Sequence, residues 1–187
     1  ASAAISASRD SEQPLPILLA HLGRGLVHLR EERFADAAAW LEPAISFSHK
    51  PSLRGWWGAL GSPLGRAWLG LGRVTEAMSL LEKVVAHSAS PRGSGHVLRS
   101  IHLAEAYLAA ERIPAAARLA NEAHALARAH GERGHEAYAL LLLAELARAA
   151  GQIDEAINYA HEARQLCAEL QMQPLVRRVT KSLAEWE

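Results

Sequence analysis

Cysteine is almost missing from this chain. Cys167 is the only one in 187 residues, so no internal disulfide can form. A reducing cytoplasm is the expected compartment. Net charge is missing as well, with 20 basic and 20 acidic residues. That removes the long-range pull on nucleic acid or anionic lipid that a basic chain exerts. No Lys/Arg run is longer than Arg177-Arg178. No apolar run reaches the roughly 20 residues of a membrane span. Ala1 to Ser11 has no apolar signal-peptide core, which points away from secretion. Strand-type alternation of Val, Ile, Thr and aromatics is also missing. What is present is alanine, leucine and arginine, with half of all residues hydrophobic. The chain reads as all-helical with a sizeable core.

It also repeats. Phe34-Ala35-Asp36-Ala37, Val74-Thr75-Glu76-Ala77, Ile113-Pro114-Ala115-Ala116 and Ile153-Asp154-Glu155-Ala156 share one shape, and their last alanines are 40, 39 and 40 residues apart. Twelve residues before each of these alanines stands another small residue: Gly25, Gly65, Ala104 and Ala144. The same step leads on to Ala184. One residue earlier come Arg24, Leu64, Leu103, Leu143 and Leu183. Breaks fall near Lys50-Pro51, Ser90-Pro91, His130-Gly131 and Leu170-Gln171. Each unit reads as two antiparallel helices, A and B, which approach closely where A carries Gly or Ala and B carries Ala. A lone pair cannot bury its apolar face, so such units stack. In the fourth unit Gly151 stops helix A and Asp154-Glu155 open helix B at the positive end of its dipole. The expected layout is an extension over 1–13, units at about 14–50, 51–90, 91–130 and 131–170, and a lone helix within 171–187.

Leu64-Gly65-Arg66-Ala67-Trp68 and Leu103-Ala104-Glu105-Ala106-Tyr107 resemble the helix A signature of tetratricopeptide repeats (TPR). Ala77, Ala116 and Ala156 resemble that family's helix B alanine. The resemblance implies a right-handed α-solenoid. The period of about 40 exceeds the family's usual 34. Gly131 to Ala137 and Leu170 to Leu175 are similar to long-period arrays at the C-terminal ends of bacterial cyclase-type and STAND ATPase regulators. That implies a sensor or docking part of a bacterial signalling protein. The first unit departs from the pattern: Arg24 replaces leucine, His28 replaces an aromatic, and Pro43 interrupts helix B with an expected kink.

The stretch Gly55 to Arg73 invites a phosphate-binding reading, which its details oppose. Gly65 and Gly70 have P-loop spacing, but Leu71 stands where lysine is needed. Gly70-Leu71-Gly72 meets Thr75 at the third glycine of a dinucleotide fingerprint, and no strand precedes it. Close packing and a helix stop at Gly72 explain the glycines. Ser62-Pro63 reads as N-cap and first helical position, predicting a break or kink near Gly61. Trp56 and Trp57 are adjacent, so on a helix they point about 100° apart. At most one is expected to be fully buried; both could serve ordinary packing between repeats, or one could be a contact residue.

Ten histidines yield no H-E-x-x-H and no shared helical face. Neither Cys167 nor any carboxylate pair sits in a catalytic constellation. No enzyme activity, cofactor or metal is expected. In TPR proteins helix A lines a concave groove, and the resemblance carries that role onto particular residues. In unit one these are Leu19, Leu22, Leu26 and Leu29, and in unit two Arg66 and Leu69. Unit three supplies Leu98, Ile101, Glu105 and Leu108, and unit four Tyr138, Leu141, Glu145 and Arg148. The leucines of unit one do not suit a carboxylate clamp; they could equally pack against a neighbouring segment, such as residues 1–13. The expected partner is a protein, a peptide or another domain of the same polypeptide, not nucleic acid or membrane. A spacer or self-association role is the alternative.

Overall fold

A computed structural model describes residues 14–48, 50–87 and 95–186. The repeat period reappears in it as helices and turns. The helices are α1 (Pro14–Arg30), α2 (Phe34–Phe47), α3 (Trp57–Gly70), α4 (Val74–Ala86), α5 (His96–Ala109), α6 (Ile113–His130), α7 (Arg133–Ala149), α8 (Ile153–Glu169) and α9 (Gln173–Trp186). A 3-10 turn, Pro51–Trp56, leads into α3. No strand occurs among the described residues. α1/α2, α3/α4, α5/α6 and α7/α8 are the four A/B pairs, and α9 is the lone fifth helix A.

All four pairs close on the same turn. Glu32, Gly72, Glu111 and Gly151 have positive φ, between 56° and 79°. The next residue sends its N–H back five residues: Arg33 to the His28 carbonyl (2.9 Å), Arg73 to Trp68 (2.9 Å), Arg112 to Tyr107 (2.8 Å) and Gln152 to Ala147 (2.9 Å). This left-handed cap satisfies the last carbonyls of helix A and reverses the chain within three residues. The glycines at 72 and 151 are legible as stops; Glu32 and Glu111 are not, because a side chain there costs about 1 kcal/mol. Replacing Glu111 with Gly should therefore raise stability by about 0.5–1 kcal/mol, and replacing Gly72 with Ala should lower it by a similar amount. Urea midpoints at constant m-value would show both.

The chain divides into two compact bodies, one ending at Pro91 and the other starting at Arg92. The expected break at Ser90-Pro91 and residues 1–13 lie outside the described residues. The N-terminal body buries Leu18, Leu41, Leu60, Leu64 and Val84, with Trp56, Trp57 and Trp68 half-buried against them. The C-terminal body buries Leu140, Leu141, Cys167, Leu175, Val179 and Leu183 around Ala137, Ala144, Ala160 and Ala163.

The close approach of helix A occurs, but in repeats one and two its partner is not the expected helix B alanine, Ala37 or Ala77; it is the leucine four residues further on. A Cβ built on Gly25 would lie 2.5 Å from Leu41 Cγ, and one on Gly65 would lie 2.5 Å from Leu81 Cγ. The partner is sixteen residues on in both repeats. In repeats three and four the same two positions are Ala104/Ala120 and Ala144/Ala160, all fully buried. The crossing is filled as Gly plus Leu in one body and Ala plus Ala in the other. Ala184 departs from this: it is exposed, because no helix B lies across α9 in the described residues.

The expected break near Gly61 is absent. α3 runs unbroken from Trp57 to Gly70 through Pro63, and Ser62 is buried rather than capping. The chain enters helical geometry earlier, at Pro51, so no new start is needed at Ser62. Gly61 is a packing residue: a Cβ there would meet Val84 Cγ2 at 2.6 Å. Pro43 likewise does not end α2, which continues to Phe47. One odd residue of repeat one, Arg24, is also explained. Arg24 stacks 5.5 Å over the Trp40 ring, and His21 Nδ1 bonds the Trp40 carbonyl at 2.8 Å.

Candidate functional site: the helix A faces

Helix A residues point either into a body or out of it, and this sorts the groove positions. Ile101 and Leu141 are closed off from solvent and belong to the packing between helices, so a partner cannot reach them. Ser62 is buried at the matching position of repeat two. Leu19 and Leu26 are exposed, while Leu22 and Leu29 are half-buried on the N-terminal core. Arg66 lies 5.1 Å over the Phe34 ring, and Leu69, one turn further along α3, is half-buried. Trp56 and Trp57 are both half-buried against the core, so neither is a free anchor and neither is enclosed.

In the C-terminal body Leu98, Glu105, Leu108, Tyr138 and Glu145 are half-buried and Arg148 is exposed. Two of these carboxylates are joined by a residue outside the groove set expected from sequence. Arg178 of α9 reaches Glu145 at 2.8 Å and Glu105 at 3.8 Å. Its guanidinium thus ties α5, α7 and α9 together along one helix A face. The repeat period carries a signal for it: Leu98, Tyr138 and Arg178 are equivalent positions. Extending the groove alignment to the lone fifth helix reaches Arg178 directly.

In the N-terminal body a second charged cluster forms at the base of α3. Arg73 bonds Glu76 (2.7 Å) and Glu42 (2.9 Å) and stacks 4.5 Å over Trp68, whose Nε1 donates to Glu42 at 2.7 Å. Arg112 repeats the stacking over Tyr107 at 5.8 Å. These arginines brace the A/B turn, and nothing in their arrangement is catalytic.

The histidines near the α6–α7 turn pair with carboxylates. His135 meets Glu132 at 2.7 Å, and His124 meets Glu136 at 3.8 Å. Among the described residues no three His, Cys, Asp or Glu are arranged to hold a metal ion. No described helix is long and apolar enough to cross a membrane.

Cys167 is enclosed in the C-terminal core, and burial pushes its thiol up to about 11. It packs as a small apolar group. An unfolded thiol titrates near 9. Between these values the unfolded chain has lost a proton that the folded chain keeps, so stability falls as pH rises from about 9 to 11. A Cys167→Ala variant should lack that slope in urea titrations. Iodoacetamide should modify Cys167 only after denaturation.

A chain of repeated A/B pairs with left-handed caps and small-residue crossings has a TPR-like helical-repeat fold, and comparison with solved structures bears this out. A kinesin light chain-like protein of Podosopora anserina with nearly identical TPR-like repeats aligns over 93% of this chain and 90% of its own, at 22% identity and TM-score 0.62. BtubC (BKLC) from P. vanneervenii aligns over 99% and 82%, at 16% identity and TM-score 0.65. A thermophilic TPR protein in Thermus thermophilus aligns over 87% and 98%, at 19% identity and TM-score 0.51. At these identities the likeness establishes the fold: an all-α solenoid of antiparallel helix pairs. No family model matches the chain, and no curated protein matches it.

Proposed function

We propose that this chain is a non-catalytic interaction module of a bacterial cytoplasmic regulatory protein, which binds a peptide or a partner domain on its helix A faces. The observation that carries this reading is the row Glu105–Arg178–Glu145. Three successive A helices of the C-terminal body contribute to it, and the ion pairs hold its side chains in place. Tyr138 and Leu98 sit at the same register as Arg178, and Arg148 lies one turn beyond Glu145. With Arg148 beside the two carboxylates and Arg178, the face carries charges of both signs in fixed places, which selects a partner with a complementary pattern of charge. Tyrosine and arginine are among the side chains most enriched at interface hot spots. The bacterial signalling context rests on the resemblance of Gly131–Ala137 and Leu170–Leu175 to long-period regulator arrays.

The test is selection from a displayed peptide library against the 187-residue chain. Enriched peptides should share a charged residue at a fixed place. They should lose about tenfold or more in affinity, roughly 1.4 kcal/mol or more, on Tyr138→Ala and on Glu145→Lys. They should also raise the melting temperature in proportion to their occupancy. Peptides that bind both variants as well as wild type would place the site elsewhere. No enrichment at all would remove the reading.

A further inference from the structure

Within the C-terminal body, α6 packs on two helices that carry the proposed binding face. One is α5, with Leu98 and Glu105, and the other is α7, with Tyr138 and Glu145. Each of these two contacts contains a half-buried histidine. His96 opens α5 and feels the charge of Glu122 on α6. His124 sits on α6 and faces Glu136 of α7.

Neither imidazole is placed to become an imidazolium. His96 Nε2 lies 3.5 Å from Ser100 Oγ, and its Nδ1 is buried with no hydrogen-bond partner among the described residues. A neutral ring tolerates this, because one of its nitrogens carries a lone pair and no proton. Protonation makes both nitrogens donors, and Nδ1–H would then be a buried donor with no acceptor. His124 exposes only 19% of its side chain. Its Nε2 is 3.8 Å from Glu136 Oε1, too far for a hydrogen bond. The same oxygen already has a cation at 3.5 Å, Nε of Arg128. A protonated His124 would be a second cation on a carboxylate that Arg128 already neutralises.

Burial is the largest influence on both rings and holds both below the usual histidine range. The surrounding charges do not reverse it. Arg99 on α5 pushes His96 further down, and Glu122 on α6 pulls it up. On His124, Glu136 of α7 pulls up, Arg128 of α6 pushes down, and Glu162 of α8 pulls up.

We propose that repeat three is an acid-sensitive joint: protonation of His96 and His124 loosens α6 from α5 and α7, and so weakens the binding face that those two helices carry. The joint stands on the packing of α6, while its effect on binding rests on the peptide site proposed above. As pH falls, the unfolded chain takes up these protons near 6.5, before the folded chain does. Stability is therefore complete above pH 6.5 and falls below it, until the folded histidines are protonated too. Each histidine removes up to about tenfold from the folding constant per pH unit in that window. Carboxylates titrate further down, near pH 4, so the range down to about pH 5 reports on histidine. The other histidines remain in every variant, so differences between variants isolate these two.

NMR titration of the full chain, following the ring protons of His96 and His124, tests the joint directly. Both midpoints should lie below 6.5. Urea midpoints should drop between about pH 7 and about pH 5 in wild type, less in His96→Gln and in His124→Gln, and least in the double variant. Amide exchange at the acid end should show α6 losing protection before α8. Peptides selected on the helix A faces should bind wild type several-fold more weakly at the acid end, and the double variant should lose most of that difference. Ring midpoints at or above 6.5 overturn the proposal, and so does a double variant whose stability keeps the wild-type dependence on pH. Peptide affinity that changes with pH equally in both proteins overturns it too. If no peptide is selected, the binding reading fails, while the ring titrations and the unfolding curves still decide the joint.

Discussion

Gly65→Ala should destabilise the protein, and Leu81→Ala should destabilise it more, but the two together should cost less than their sum. A methyl group on Gly65 would sit 2.5 Å from Leu81 Cγ, a branch point that cannot swing aside. Overpacking of this kind costs about 1–3 kcal/mol, against which the better helix propensity of alanine returns up to about 1. Leu81 is fully buried, so truncating it alone should cost about 2–5 kcal/mol. The double variant recreates the Ala/Ala crossing already present at 104/120 and 144/160. Its methyl group enters the space that Leu81 vacated. A coupling of about 1–2 kcal/mol in the favourable direction is expected from urea unfolding of the four proteins. Additivity within about 0.5 kcal/mol would mean that the two side chains do not share that space.

Arg178→Ala should cost about 3 kcal/mol and loosen α9 before the rest of the C-terminal body. The guanidinium is three-quarters enclosed and lies between two glutamates, of which Glu105 is only 12% exposed. Removing it leaves two carboxylates close together in a poorly solvated place, which costs more than losing a surface ion pair. α9 is also held by its apolar side, Leu175, Val179 and Leu183, with Val176 and Trp186 packed beside them. Amide exchange should show α9 losing protection first, with α5 and α6 retaining theirs. An Arg178→Lys variant keeps the charge but not the fork geometry, so partial recovery is expected. Arg178→Met tests the same point differently. If it matched wild type, packing and not charge would be holding the helix.

Much of this architecture is legible in the residues. The four A/B pairs, the lone fifth helix and the stops at Gly72 and Gly151 all follow from periodicity and from the backbone needs of helix ends. The exposed and half-buried members of the groove set can be placed on helix A in the same way. Pattern alone misreads other features. Ser62-Pro63 looks like a helix start, yet the helix entered from the turn at Pro51 runs on through it. Ile101 and Leu141 look like groove residues by analogy, yet the neighbouring helices close over them. Glu32 and Glu111 adopt left-handed backbone that no glutamate advertises; the turn imposes it. Arg178 escapes a local reading because an ion pair across three helices has no local signature.

Local periodicity and helix chemistry were therefore determined by the sequence itself, since they depend on contacts within about forty residues and on the conformational limits of single residues. The tertiary structure alone decided which small residues meet which leucines, which groove positions are sealed, and which charges share a guanidinium. It also decided that Leu15, Leu19, Leu26 and Val27 of α1 are exposed among the described residues. Those outcomes depend on how neighbouring helices pack, and packing is set by the shapes of several segments at once.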